Sequence, residues 1–164
     1  MDVSFRAIQT KDLHFVKKIY DDYIINTTST FHTDPMDISK LKEMMIIGNT
    51  VYPSYIISEG GLDCGYCYLS EYKNRQAYRR TAEVTISLKN EFIGRGIGKR
   101  AMEFITQKAG NSSIKNLIAI ISGENLASIR FIERSGFIKC GHIKNAGEKF
   151  GRLLDVVFYQ KELK

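Results

Sequence analysis

The chain predicts a single α/β domain, residues 1–164, built around one mixed sheet, and three observations carry that expectation. Seven stretches alternate apolar and polar residues, or run apolar briefly, as strands do, and four repeat apolar residues at helical spacing. They follow one another in the order β-α-α-β-β-β-α-β-α-β-β, with no linker and no internal repeat. At 164 residues, 43% hydrophobic and 26% charged, the chain can bury one ordinary core and has the composition of a soluble globular domain.

VSFRAI alternates and is the first strand. Thr10 has the chemistry of an N-cap, with Asp12 in the first turn, and Leu13, Val16, Ile19, Tyr20, Tyr23 and Ile24 then mark an amphipathic helix over about 11–25. NTTSTFHTDP is a polar connector carrying one exposed aromatic, Phe31, and a second helix is expected from Asp37 to Gly48-Asn49. SYIISE and LDCGYCYLSEY are strands joined at Gly60-Gly61, a hairpin signal, and Tyr78 to Leu88 is the next strand. A glycine turn and a helix near 97–109 follow. KNLIAIIS is nearly continuous in apolar residues, as strands buried on both faces are. ASIRFIERSGF is a helix closed by Gly136, and the remainder forms two strands with a loop around 145–151.

Lys and Arg number 24 against 18 Asp and Glu, a net charge of +6. Such a balance suits an anionic ligand, a nucleic acid or simply a mildly basic surface, and the lack of any block of five like charges argues against nucleic acid. No apolar run nears the roughly 18 residues of a membrane span. The polar, alternating N-terminus is unlike a signal peptide, so no membrane partner and a cytoplasmic location are expected. Three cysteines are too few for a disulfide scaffold. Cys64 and Cys67 have redox spacing, but on a strand they should face opposite ways, about 10 Å apart, whereas a disulfide needs Cα atoms within roughly 7 Å. His14, His32 and His142 are scattered, so no metal is expected.

NEFIGRGIGKR, between TAEVTISL and the helix AMEFITQKA, is the most informative stretch. Gly94, Gly96 and Gly98 have the wrong spacing for G-x-G-x-x-G, and three residues rather than four separate Gly94 from Gly98-Lys99, which excludes a Walker loop. What remains is a glycine turn at a helix start, where unpartnered N–H groups and the helix dipole favour a pyrophosphate. An ordinary strand-to-helix turn would read the same way on its own.

With GENLASIRFIERSGF downstream, the arrangement resembles the acetyl-coenzyme A half of the GNAT acyltransferase superfamily. Gly96 and Gly98 match the R/Q-x-x-G-x-G/A motif, whose first position is Ile93 here, and Asn125, Ala127, Ser128, Gly136 and Phe137 match the later block. Within it the chain is similar to the phosphinothricin and methionine sulfoximine N-acetyltransferase branch, through Asn26, Thr28 and Phe31, through Thr81-Ala82-Glu83, and through Lys149-Phe150-Gly151-Arg152-Leu153-Leu154-Asp155.

The resemblance implies a mostly antiparallel central sheet flanked by helices, acetyl-CoA as cosubstrate, a small-molecule primary amine as acceptor and a homodimer. It assigns acetyl-CoA to Ile86, Ser87, Leu88, Gly94, Arg95, Gly96, Ile97, Gly98, Lys99, Asn125 and Ser128, with Leu88's N–H facing the thioester oxygen and Arg100 adding charge. Glu83 is then the general base, since only a neutral amine attacks; a solvated carboxylate or a salt bridge to Arg79 or Arg80 is the plain alternative. Phe31, Lys73, Arg75 and Tyr78 are assigned to the acceptor, with His142 and Lys149 as further pocket residues. The position where many members carry a proton-donating Tyr is Ile132, so no general acid is assigned. The competing readings are acetylation of a protein N-terminus or a polyamine, and a non-catalytic module binding acyl-CoA or RNA.

Overall fold

The fold comes from a computed structural model describing residues 2–164. In chain order the elements are β1 (Val3–Ala7), α1 (Leu13–Asn26), α2 (Ile38–Met45), β2 (Ser54–Glu59), β3 (Leu62–Glu71), β4 (Thr81–Leu88), α3 (Ile97–Gly110), β5 (Asn116–Ser122), α4 (Leu126–Arg134), β6 (Ile138–Lys149) and β7 (Arg152–Glu162). The strands form one seven-stranded sheet ordered β1-β2-β3-β4-β5-β7-β6. Only β4 and β5 run parallel, so the sheet is mixed and mostly antiparallel, as expected.

Strand alternation divides the core into two layers. Tyr66 and Tyr68 of β3 join Leu13, Val16, Ile19, Leu41 and Met45 of α1 and α2 on one face. Cys67 and Leu69 join Ile97, Ala101, Ile105 and Ile132 of α3 and α4 on the other. Cys64 breaks the alternation. Ile57 pairs with Gly65 and Ser58 with Asp63, which leaves Cys64 as the extra residue of a β-bulge. The bulge turns Cys64 into the same core as Cys67, which corrects the expectation of opposite faces, and both remain free buried thiols.

Other boundaries shift for local reasons. Thr10 is not an N-cap but begins a 3-10 turn, Thr10–Asp12, fixed by Asp12, which accepts the Gln9 N–H at 2.9 Å and the Arg6 guanidinium at 2.8 and 3.1 Å. Helix α2 stops at Met45 because Ile46 takes a left-handed φ of 40°, before the glycine expected to end it. The strand expected from Tyr78 begins at Thr81, since Gln76–Tyr78 forms a 3-10 turn. The loop expected at 145–151 is mostly strand: β6 bulges between Ile143 and Gly147 and runs to Lys149. Phe150 and Gly151, both with positive φ, then make a tight hairpin turn.

The sheet divides in its own middle. Strand β4 pairs with β3 along all but its first residue, from Ala82↔Glu71 to Leu88↔Gly65. With β5 it pairs only at Thr81↔Asn116, Ala82↔Leu117 and Glu83↔Ile118. Strand β5 meanwhile stays on β7 to its last residue, Ser122. Beyond Glu83 the halves β1–β4 and β5–β7–β6 therefore part, and a cleft opens between them.

Candidate active site

The cleft widens into a cavity of about 550 Å³. Its walls come from Tyr20 and Tyr23 of α1, Ser29–His32 of the connector, Glu83–Ser87 of β4, Ala119–Ile121 of β5, and Asn125, Ser128 and Ile132 at α4. The alternation of TAEVTISL explains the β4 wall. Ala82, Val84 and Leu88 pack into the α3 core, which leaves Glu83, Thr85 and Ser87 facing α1 beside Ser70, Tyr68 and Tyr66.

Glu83 is the last β4 residue paired to β5, at the point where the strands part. Burial raises its carboxyl pKa, and the positive charge of Lys73 partly opposes the rise. Among the described residues no ion pair involves Glu83, so the expected alternative of a bridge to Arg79 or Arg80 does not occur.

At the cleft's far end Gly94 and Gly96 take φ of 81° and 80°, a left-handed backbone that glycine adopts without a Cβ penalty. Gly96 caps α3 with no side-chain acceptor on the first amides among the described residues. The turn residues Ile97, Gly98 and Lys99 thus present backbone N–H groups at the positive end of a helix dipole. Ile97's side chain is buried, and Lys99 is exposed with Glu103 4.0 Å away. The Arg95 guanidinium pairs with buried Glu59 at 2.7 Å and lies over the Phe92 ring.

Asn125 joins two walls. Its side chain accepts the Ser128 N–H at 3.1 Å, capping α4, and donates to Ser29 Oγ at 3.1 Å. Ile86 and Ser87 line the cavity, while Leu88 lies at its end, where its carbonyl accepts the Tyr23 hydroxyl at 2.8 Å. Phe31 lines the cavity from the connector.

Lys73, Arg75 and Tyr78 are not brought into the wall. They sit on the β3–β4 loop, where Lys73 lies over Tyr72 and Tyr78 packs edge-on to the same ring. Only Lys73 influences Glu83 electrostatically. His142 is also outside, paired with Asp155 at 2.7 Å on the β6–β7 hairpin. Tyr20, Tyr23, Thr30, His32 and Tyr68 line the cavity without having been singled out from the sequence. A usable signal existed: two tyrosines three apart at the end of a helix, followed at once by a polar connector.

Residues 5–158 match the family profile described as acetyltransferase (GNAT) domain. An L-methionine sulfoximine/L-methionine sulfone acetyltransferase of Pseudomonas paraeruginosa is 28% identical, over 99% of this chain and 96% of its own. A phosphinothricin N-acetyltransferase of Alcaligenes faecalis is 28% identical over 96% of this chain and 81% of its own. Among solved structures, a GNAT superfamily phosphinothricin acetyltransferase from Sinorhizobium meliloti in complex with acetyl-CoA superposes with a TM-score of 0.91 at 29% identity, covering 99% of this chain and 89% of its own.

Proposed function

The chain belongs to the acetyltransferase (GNAT) family, and from that premise we propose that it is an acetyl-CoA-dependent N-acetyltransferase for the primary amine of a small amino acid analogue. Methionine sulfoximine, methionine sulfone and phosphinothricin, after which its relatives are named, are the first acceptors to consider. The observation that carries the reading is the parted sheet, with a buried carboxylate at the point of parting and a glycine-turned helix start beyond it.

These residues fit the cosubstrate. Bound acetyl-CoA supplies an acyl group activated as a thioester. The amides from Gly94 to Lys99 hold its pyrophosphate through backbone N–H groups, which do not need the side chain missing at Ile93. The free edge of β4 at Ile86–Leu88 pairs with the amides of the pantetheine arm as a neighbouring strand would. Leu88's N–H stabilises charge gathering on the thioester oxygen, and Asn125 and Ser128 hold the acyl end. Glu83 takes the proton from the acceptor ammonium, and burial makes it a better base than an exposed glutamate. Ile132 cannot protonate the leaving sulfur, so CoA leaves as the thiolate or takes its proton from water. Phe31 closes over the acceptor side chain, and Lys73, outside the wall but within electrostatic reach of Glu83, draws the acceptor's carboxylate. A second copy of the chain, meeting it along the β6–β7 edge, completes the assembly.

The test is the release of CoA thiol from acetyl-CoA across a panel of amino acid analogues. Turnover of the three named acceptors is expected. Glu83→Gln should lower kcat by about 10² to 10⁴ with acetyl-CoA affinity unchanged in calorimetry. Acetyl-CoA binding without turnover of any analogue would move the acceptor to another class of amine. An unchanged kcat would return Glu83 to a structural part.

A further inference from the structure

Lys149 is the only buried lysine or arginine among the described residues, 4% exposed, and no described carboxylate pairs with it. Its Nζ donates instead to two backbone carbonyls, Thr27 O at 2.7 Å and Thr30 O at 2.9 Å. A buried ammonium is costly unless hydrogen bonds replace its hydration, and burial lowers its pKa here.

Both acceptors belong to the connector after α1, which supplies Ser29, Thr30, Phe31 and His32 to the cavity wall. That connector lacks regular structure, and its own hydrogen bonds, Ser29 N–H to Thr27 Oγ1 and His32 N–H to Thr30 Oγ1, are local. Its tethers come from outside. Two come from the start of α4: Asn125 on Ser29, and Glu124, which accepts the Thr28 hydroxyl at 2.7 Å. The others come from the end of β6, where Lys149 grips the carbonyls and Gly147 leaves room for the Phe31 ring; a Cβ at 147 would stand 2.8 Å from it. The order passes inward. Thr30 Oγ1 is 3.0 Å from the Tyr20 hydroxyl, which also meets His32 Nδ1. Tyr20 in turn lies within electrostatic range of Glu83, which adds to the rise that burial gives its pKa.

We propose that Lys149 is a positioning residue for acetyl transfer, pinning residues 27–32 as a roof that keeps water from the thioester and holds Tyr20 beside Glu83. The proposal rests on the acetyltransfer reading but not on the identity of the acceptor. It makes Lys149, which stands behind the cavity wall rather than in the pocket as expected, a determinant of whether an amine or water receives the acyl group. With the roof loosened, water's oxygen bonds the acyl carbon and the carbon–sulfur bond breaks. One proton of water passes to sulfur and the other leaves with acetic acid to solvent.

Lys149→Met keeps the aliphatic stem and removes the donors. Three readouts decide: amide hydrogen exchange of residues 27–32, acetyl-CoA hydrolysis without acceptor, and KM for methionine sulfoximine against KM for acetyl-CoA. Faster exchange confined to 27–32 is expected, with hydrolysis and acceptor KM each raised about tenfold and acetyl-CoA KM held within about twofold. In a Phe31→Ala background the same substitution should add little, since both act through one roof. Lys149→Arg, which retains donors, should recover part of the coupling. If Lys149→Met does not fold, Gly147→Ala decides, because it displaces Phe31 with the lysine intact and should give the same rise in hydrolysis and acceptor KM. Parental exchange in 27–32, or faster exchange with parental hydrolysis and acceptor KM, overturns the proposal. A parent enzyme that ignores methionine sulfoximine would strike the proposed acceptor alone, and exchange and hydrolysis would still decide on Lys149.

Discussion

Glu83 draws its chemistry from two neighbours of opposite effect. Burial among Tyr20, Tyr68 and the connector favours the neutral acid, and Lys73 favours the carboxylate. A base with a raised pKa loses activity as pH falls through that raised value, so the acid limb of kcat/KM should lie above the ordinary glutamate range. Lys73→Met removes the opposing charge and should move that limb further up. Arg79→Met and Arg80→Met should leave it in place, because neither residue pairs with Glu83. A pH–rate profile of the three variants measures this, and a limb unmoved by Lys73→Met would disconnect the lysine from the base. Stability follows the same sign. A carboxyl pKa raised on folding favours the folded state at low pH, and the advantage is lost as pH rises through the raised value. Glu83→Gln should therefore melt no lower than the parent at neutral pH. The place of Glu83 in the cavity wall was legible from the one acidic residue of an alternating strand and from TAE. The roles of Tyr20 and His32 were not, because they arise from a helix end and a connector folding over a strand distant in sequence.

Among the elements, the β3–β4 ladder sets the cleft. Gly65 lies opposite Leu88, and a Cβ there would stand 2.4 Å from the Ser87 carbonyl and 2.6 Å from Leu88 Cδ2. Backbone cannot yield as a side-chain tip can, so Gly65→Ala should cost about 1–3 kcal/mol and weaken acetyl-CoA binding by shifting Ser87 and Leu88. Thermal denaturation with calorimetry checks both; a parental melting point would mean that the strands part there at no cost. Gly96→Ala meets no described atom within 4 Å, but its φ of 80° strains any side chain, and a smaller loss of about 1 kcal/mol is expected. Most strands and helices were legible because periods of 2 and 3.6 persist over whole segments, and β5 because its apolar run is nearly continuous. The bulges at Cys64 and between Ile143 and Gly147 were not, since one extra residue in a ladder is defined by the partner strand and leaves the sequence unmarked.

In the whole molecule, β6 is an edge strand of 12 residues with Ile138 and Ile143 exposed, and Leu153 follows on β7. Long apolar edges invite pairing. Light scattering at micromolar concentration should give twice the 18.7 kDa chain mass, and a lone 18.7 kDa particle would remove the homodimer from the reading. The mostly antiparallel sheet was implied by the resemblance, but the parting of β4 from β5 could not be read from the residues, because nothing in IISG or TISL states where a parallel ladder ends. That parting has a consequence for the protein's endurance. A sheet parted beyond Glu83 keeps two bare inner margins, and on the proposed reading the cosubstrate lies along the β4 margin as a guest, a removable eighth strand. Thermodynamic linkage then ties lifetime to supply: at one hundred times its dissociation constant, such a guest adds about 2.7 kcal/mol to the folded state. The melting point should climb by roughly 5–10 °C with acetyl-CoA, and also with CoA, whose pantetheine arm is the same, but not with acetate. A population of this protein starved of its cosubstrate would unfold, and be cleared by proteolysis, sooner than one kept supplied.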